Sequence, residues 1–266
     1  MIEALLKEKD ELALPNKTPH LSHSRINRYL TCPEQYRFYY IENLRLKFSS
    51  ASLVFGQVVH RALADLFNNK SDPIDSFLRT WSELKEVKLT YGKKQTWEKL
   101  QANGQGLLQK FVKEEYCRIN QVKAVEKKFE LNISGLELPF IGIIDLIADV
   151  DRKNTVADFK TAASDYDEHE APLSDQLTAY KLARPEAEQV AFWVLIKTKE
   201  PKIEWHPSTR SPEEMMVYIS KVGCLAREIK AGNFYKRPGK HCSWCDYLPI
   251  CLGDAKKAQE TLIQVG

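Results

Sequence analysis

Two acids and a lysine have the spacing to do chemistry together. Asp145 lies in "GIIDLIAD"; Asp158 and Lys160 lie in "ADFKT". Both segments are apolar and β-branched, as buried strands are. Side chains two apart on a strand share a face, so Asp158 and Lys160 project together and Phe159 points the opposite way. The turn after Asp149 is short enough for a hairpin that brings Asp145 level with Asp158. Carboxylates in the middle of apolar strands are costly unless paired or bound to a metal. A converging pair suits Mg2+ or Mn2+, hard cations that keep waters for a phosphate-bearing substrate. Lys160 would then orient or deprotonate one of those waters, or offset charge at the phosphate. The competing reading is a buried Asp–Lys ion pair with a structural role alone.

Other residues gain meaning only in combination. His60 follows Gly56 by four positions in "GQVVH", and by itself reads as a surface or core-edge histidine. Gln176 and Tyr180 are i and i+4 on a helix and share one face. "CSWCDYLPIC" packs three of the six cysteines, Cys242, Cys245 and Cys251, into ten residues with C-x2-C-x5-C spacing, a metal-ligand pattern one short of a tetrahedral set. Cys117 and Cys224 have no metal-ligand neighbours and read as small core residues. Arg25, Arg28, Arg37, Arg45 and Lys47 flank the rings of Tyr36, Phe38, Tyr39 and Tyr40. That interleaving suits single-stranded nucleic acid, and equally a helix with a snorkelling basic face and a buried aromatic one.

The elements that must position these groups follow from pattern. "HLSHSRINRYLTCPEQYRFYYIENL" reads as a helix capped by Ser22 or Ser24 and broken near Pro33. "ASLVFGQVVHRALADLFNN" is a helix with Val54, Val58, Leu63, Leu66 and Phe67 inward, and residues 74–120 are helical with a break near "TYGKKQ". Four strands follow: "AVEKKFELNI", "LPFIGIIDLIADV", "TVADFKTA" and "QVAFWVLIKT". Turns at Ser134-Gly135 and Arg152-Lys153-Asn154 separate the first three. "LSDQLTAYKLAR", capped by Ser174 or Asp175, is a helix before the fourth. The first three strands can pair antiparallel; the helical crossover makes the next pair parallel. A final helix spans roughly 211–231. The fold class is α/β, a mixed sheet flanked by helices.

Composition bounds the function. The 266 residues suit one core with an attached subdomain, and 43% hydrophobic with 28% charged residues is a globular balance. A net charge of +3 is too small to indicate nucleic-acid binding by itself. No stretch has the length of a membrane span, and "MIEALLKEKDELALP" lacks a signal-peptide core and reads as an amphipathic helix or arm. A cytoplasmic chain with reduced thiols is expected, so disulfides are not. The sequence has no G-x-x-x-x-G-K-[ST] and hence no recognisable ATPase of its own.

The ordered set His60, Asp145, Asp158-Phe159-Lys160 and Gln176-x-x-x-Tyr180 resembles the RecB-type branch of the PD-(D/E)XK nuclease superfamily, over roughly residues 21–252. The resemblance implies a restriction-endonuclease-like core. It implies metal binding by His60, Asp145, Asp158 and the Phe159 carbonyl, water handling by Lys160, and DNA contacts from Gln176 and Tyr180. Glu126 on the first strand would be an accessory acid or, as favoured here, a surface charge. Some members, among them CRISPR-associated RecB-like exonucleases and AddB-type subunits, carry an iron–sulfur cluster on one early and three late cysteines. Cys32 fits the early ligand and Cys242, Cys245 and Cys251 the late ones. Four thiolates suit a 4Fe–4S cluster or, as the lesser expectation, zinc.

The implied organisation is an arm (1–20), a helical region contributing Cys32 and His60 (21–120), a nuclease core (121–210), and a C-terminal helix with a cluster tail (211–266). The implied activity is metal-dependent exonuclease action on single-stranded DNA, alone or beside a helicase, recombination or CRISPR adaptation partner and away from membranes. The alternatives are a non-catalytic DNA-binding or assembly subunit of such a complex, and a zinc-stapled scaffold.

Overall fold

A computed structural model describes residues 19–133 and 136–265. The expected N-terminal arm and the Ser134-Gly135 turn lie largely or wholly outside the described residues. Ser22 caps helix α1 (His23–Thr31), its hydroxyl accepting from Arg25 N. Pro33 opens the short helix α2 (Pro33–Tyr36), and a π-turn covers Arg37–Ile41. A residue before proline is driven to extended backbone; Cys32, with φ −163° and ψ 114°, is that residue. Strand β1 (Leu44–Leu46) precedes helix α3 (Ala51–Asn69), then α4 (Pro73–Glu83) and α5 (Trp97–Lys110). The five expected inward residues of α3 are all buried.

Strands β2 (Ile119–Leu131), β3 (Phe140–Val150) and β4 (Lys153–Ala162) form an antiparallel meander. Asp151 and Arg152 close the β3–β4 hairpin with φ of 51° and 67°. Two left-handed residues in a two-residue loop make a type I′ turn, which matches strand twist. Helix α6 (Asp175–Ala183), capped by the Ser174 hydroxyl, crosses over to β5 (Gln189–Ile196), which pairs parallel with β4. An additional antiparallel edge strand, β6 (Lys202–Ser208), completes the order β2-β3-β4-β5-β6. Helix α7 (Pro212–Lys230) follows with a complete Ser211–Glu214 capping box. The tail holds α8 (Leu248–Cys251), α9 (Ala255–Thr261) and β7 (Leu262–Gln264), the last paired with β1 in a separate two-stranded sheet.

The mixed α/β class holds, and the sheet is covered on both faces. Leu146, Ala157, Phe159 and Trp193 pack with α3, α4 and α5; Ile144, Val156, Phe192 and Val194 pack with α1, α6 and α7. With both faces covered, every residue of β5 is buried, which explains its unbroken apolar run. Cys117 and Cys224 correct the expectation of core cysteines, since both are exposed. Cys117 sits in the 3-10 turn Tyr116–Arg118, and Cys224 falls outside the α7 stripe of Tyr218, Val222, Leu225 and Ile229.

Candidate active site

The site is a fork between two strands. The β3–β4 ladder ends at Leu146↔Ala157, one step short of Asp145 and Asp158. Beyond that pair β3 continues beside β2 to Phe140, whereas β4 continues beside β5 to Ala162. At the crotch, the Asp145 carboxylate replaces a ladder carbonyl: Phe159 N donates to Asp145 Oδ2 at 2.9 Å. Helix α3 lies close enough over β4 that a Cβ on Gly56 would sit 2.9 Å from Thr161 Oγ1. One turn along, His60 Nδ1 stands 3.1 Å from Asp145 Oδ2. Phe159 points away as expected, its ring among Phe67, Phe111 and Trp193.

Asp158 is held by α6. Gln176 Nε2 donates to Asp158 Oδ1 at 2.8 Å, and the Tyr180 hydroxyl lies 2.8 Å from the same oxygen and 2.9 Å from Ile143 O. Lys160 Nζ is 2.8 Å from Asp158 Oδ2 and donates to Gln176 Oε1 at 2.6 Å. Burial, reinforced by the Asp158 charge, holds the Tyr180 hydroxyl well above its ordinary pKa, so it stays a hydrogen-bond donor. The start of α6 is anchored by buried Arg210, which donates to the Ala171 and Ser174 carbonyls and to Thr178 Oγ1.

A cavity of about 580 Å³ opens in the fork, lined by Asp158, Lys160, His60, Gln176 and Tyr180 together with His23 and Lys197. A second, of about 630 Å³, shares His23, Lys160 and Gln176 with it. The pattern of the sequence did not single out His23 or Lys197; neither falls in a motif with the acids, the lysine or the Gln176–Tyr180 pair. His23 Nδ1 is buried without a hydrogen-bond partner. Burial, then the Lys160 charge, lowers His23 to about 4, so the ring is neutral at pH 7. Glu126 is exposed, in keeping with a surface charge, yet lines a small pocket with His60 and Asp145, and its backbone is left-handed at φ 47°.

The fork suits a cation. Asp145 and Asp158 are 4% and 3% exposed, and the partner of Asp158 Oδ2 is the Lys160 ammonium at 2.8 Å. Among the described residues no three His, Cys, Asp or Glu side chains already stand in an ion-holding group. The acids are instead tied to His60, Lys160, Gln176 and Tyr180, which an arriving ion would displace in part.

Cys32, Cys242, Cys245 and Cys251 line one cavity of about 310 Å³. Their chain segments converge, although among the described residues no three of these side chains form an ion-holding group. Burial pushes the Cys245 and Cys251 thiols up. Four thiols on one apolar cavity fit a thiolate-bound metal, which would deprotonate them. The aromatic run beside it is packed. Arg28 and Arg45 stack on Tyr39 at 3.7 and 3.4 Å, and Arg25 stacks on Tyr40 at 4.1 Å, so guanidinium groups already cover those ring faces. No helix among the described residues is long and apolar enough to cross a membrane.

A solved structure of a "putative exonuclease" from Eubacterium rectale superposes with a TM-score of 0.57 at 13% identity, covering 90% of each chain. The crystal structure of SSO0001 is 18% identical and covers 94% of this chain and 96% of its own, with a TM-score of 0.47. No curated protein matches the chain. The family model of the PD-(D/E)XK nuclease superfamily matches residues 20–252, spanning both the fork and the cysteine tail, and the chain belongs to that superfamily.

Proposed function

We propose that this chain is a metal-dependent DNA nuclease of the RecB-like branch, acting as an exonuclease on single-stranded ends. The observation that carries the reading is the buried pair Asp145 and Asp158 at the strand fork, with the Lys160 ammonium 2.8 Å from Asp158 Oδ2. His60, Asp145, Asp158 and the Phe159 carbonyl would hold Mg2+ or Mn2+. Bound there, the ion supplies Lewis acidity toward a phosphodiester and acidifies water. Lys160 Nζ would orient the attacking water as a donor, or take its proton only as the neutral amine, after giving up a proton of its own to solvent. Gln176 and Tyr180 hold Asp158, and Gln176, which lines both cavities, also meets the strand.

The four-cysteine cavity would hold a 4Fe–4S cluster, with zinc as the lesser candidate. It would tie α2 to the tail, and thiolate ligands fit a reducing, cytoplasmic setting. A helicase, recombination or CRISPR adaptation protein would supply the DNA end. A non-catalytic subunit is disfavoured because every expected catalytic position is filled.

The test is digestion of end-labelled single- and double-stranded DNA with Mn2+, Mg2+ or EDTA, comparing the wild type with Asp158→Ala and Lys160→Ala. Cleavage that needs the metal and is lost in both variants is expected. Cleavage retained in both, or none by the folded wild type with its cysteine site loaded, would overturn the assignment.

A further inference from the structure

Lys197 is the second lysine of the fork cavity. It follows the last residue of β5, and its N–H donates to Ala162 O at 2.9 Å, fixing it at the carboxyl end of the parallel β4–β5 pair. Ligands of open α/β sheets gather at that end. Its ammonium lies 5.3 Å from the centre of the Phe55 ring, and Phe55 is wholly buried. The side chain is half-buried, and burial alone lowers its pKa. Among the described residues, Asp158 is the one acid lining this cavity, and it already serves Lys160, Gln176 and Tyr180. Among the described residues, Lys197 therefore has an aromatic face and no carboxylate partner. A half-buried cation in that state gains most from an arriving anion.

The neighbouring cavity has the opposite character. Beyond the shared His23, Lys160 and Gln176 its charged lining is Asp167, Glu170 and Asp175, the last paired with Lys221 at 2.6 Å, with His169 beside them. That wall repels phosphates. Register places Lys160 opposite Val194, so Lys197 stands three residues further along, about 10 Å in the strand direction. About one to three nucleotides span that distance.

On the nuclease reading above, we propose that Lys197 is the seat for a backbone phosphate of the substrate strand, about one to three nucleotides from the scissile one and on the side away from the acidic wall. The strand therefore leaves the reaction centre toward Lys197. Lys197 is a positioning residue, and its loss falls on affinity and KM more than on kcat.

Binding of a fluorescent single-stranded oligonucleotide in EDTA, followed by anisotropy across a salt series, tests this with the full-length protein carrying its cysteine-site metal. Lys197→Met keeps the stem against Phe55 and removes the charge; Lys197→Arg keeps the charge. The Met variant is expected to bind about tenfold more weakly at low salt. Its slope of log K against log[salt] should fall by about 0.7, the value for one phosphate on a single strand. The Arg variant should keep the wild-type slope. An unchanged slope in a folded Met variant would overturn the Lys197 assignment and leave the nuclease reading standing. A wild type that binds no oligonucleotide at any salt would overturn both. If the Met variant does not fold, a reduced slope in Lys197→Gln decides, with an unchanged slope again refuting.

Discussion

Tyr180→Phe is the sharpest probe of how the site is held. The ring is 4% exposed and the substitution removes one hydroxyl from a packed environment. That hydroxyl has a single proton and two acceptors in reach, Asp158 Oδ1 at 2.8 Å and Ile143 O at 2.9 Å, while Gln176 Nε2 donates to it at 2.8 Å. The carboxylate competes best, because hydrogen bonds to charged groups are the stronger ones. Losing such a bond costs about 1.5–3 kcal/mol. Asp158 Oδ1 keeps its bond from Gln176, so it is not stranded and the lower half of that range applies. For a chain of this size about 2 kcal/mol corresponds to a fall in Tm of roughly 4–8 °C. Thermal unfolding by circular dichroism measures it. A double-mutant cycle with Gln176→Leu should show coupling of about 1 kcal/mol, since both donors share one oxygen. A change under 1 °C in Tm with additive effects would refute the idea that Tyr180 holds Asp158. The nuclease assay should show a lower kcat, because an unrestrained Asp158 loses its aim.

Two further outcomes are expected. Replacing Cys242 or Cys245 with serine should abolish the visible absorbance near ~400 nm expected of an iron–sulfur cluster and destabilise the fold. The loop from Cys32 to the tail is long, and by the disulfide analogy its closure contributes on the order of 4–5 kcal/mol; a colourless variant with undiminished Tm would sink the staple idea. His23 should make the protein acid-sensitive. Its folded pKa of about 4 lies below the ordinary 6.5, so the unfolded chain takes up a proton that the folded chain refuses. Stability is then full above pH 6.5, falls as pH drops toward 4, and levels off below, by up to about 3 kcal/mol. Urea unfolding of His23→Gln should show a shallower slope in that window, and an unaltered pH profile would contradict the burial of the ring.

Much of the candidate site is local and therefore readable from pattern. Strand alternation alone puts Asp158 and Lys160 on one face and Phe159 on the other, and helix periodicity puts Gln176 over Tyr180. The proline after Cys32 forces that cysteine into extended backbone at a helix break. The short hairpin brings Asp145 within one step of Asp158 without any long-range information.

What pattern does not carry is the meeting of distant elements. Gly56 has an ordinary helical look, and only the packing of α3 against Thr161 explains it and delivers His60 to Asp145. Edge strand β6 and the β1–β7 pair were not anticipated, because short strands owe their existence to partners far away in the chain. Cys117 and Cys224 look apolar by type but face outward, since burial depends on which stripe of an element meets the core. His23, Lys197 and Arg210 carry no motif, and their placement around the fork comes from how α1, β5 and α6 pack. The sequence by itself determined which residues could react and which faces they share, because those follow from backbone periodicity. The tertiary structure alone decided which of them meet, because the divergence of β4 from β3 at Ala157 is set by the pairing of β4 with β5 across a helical crossover.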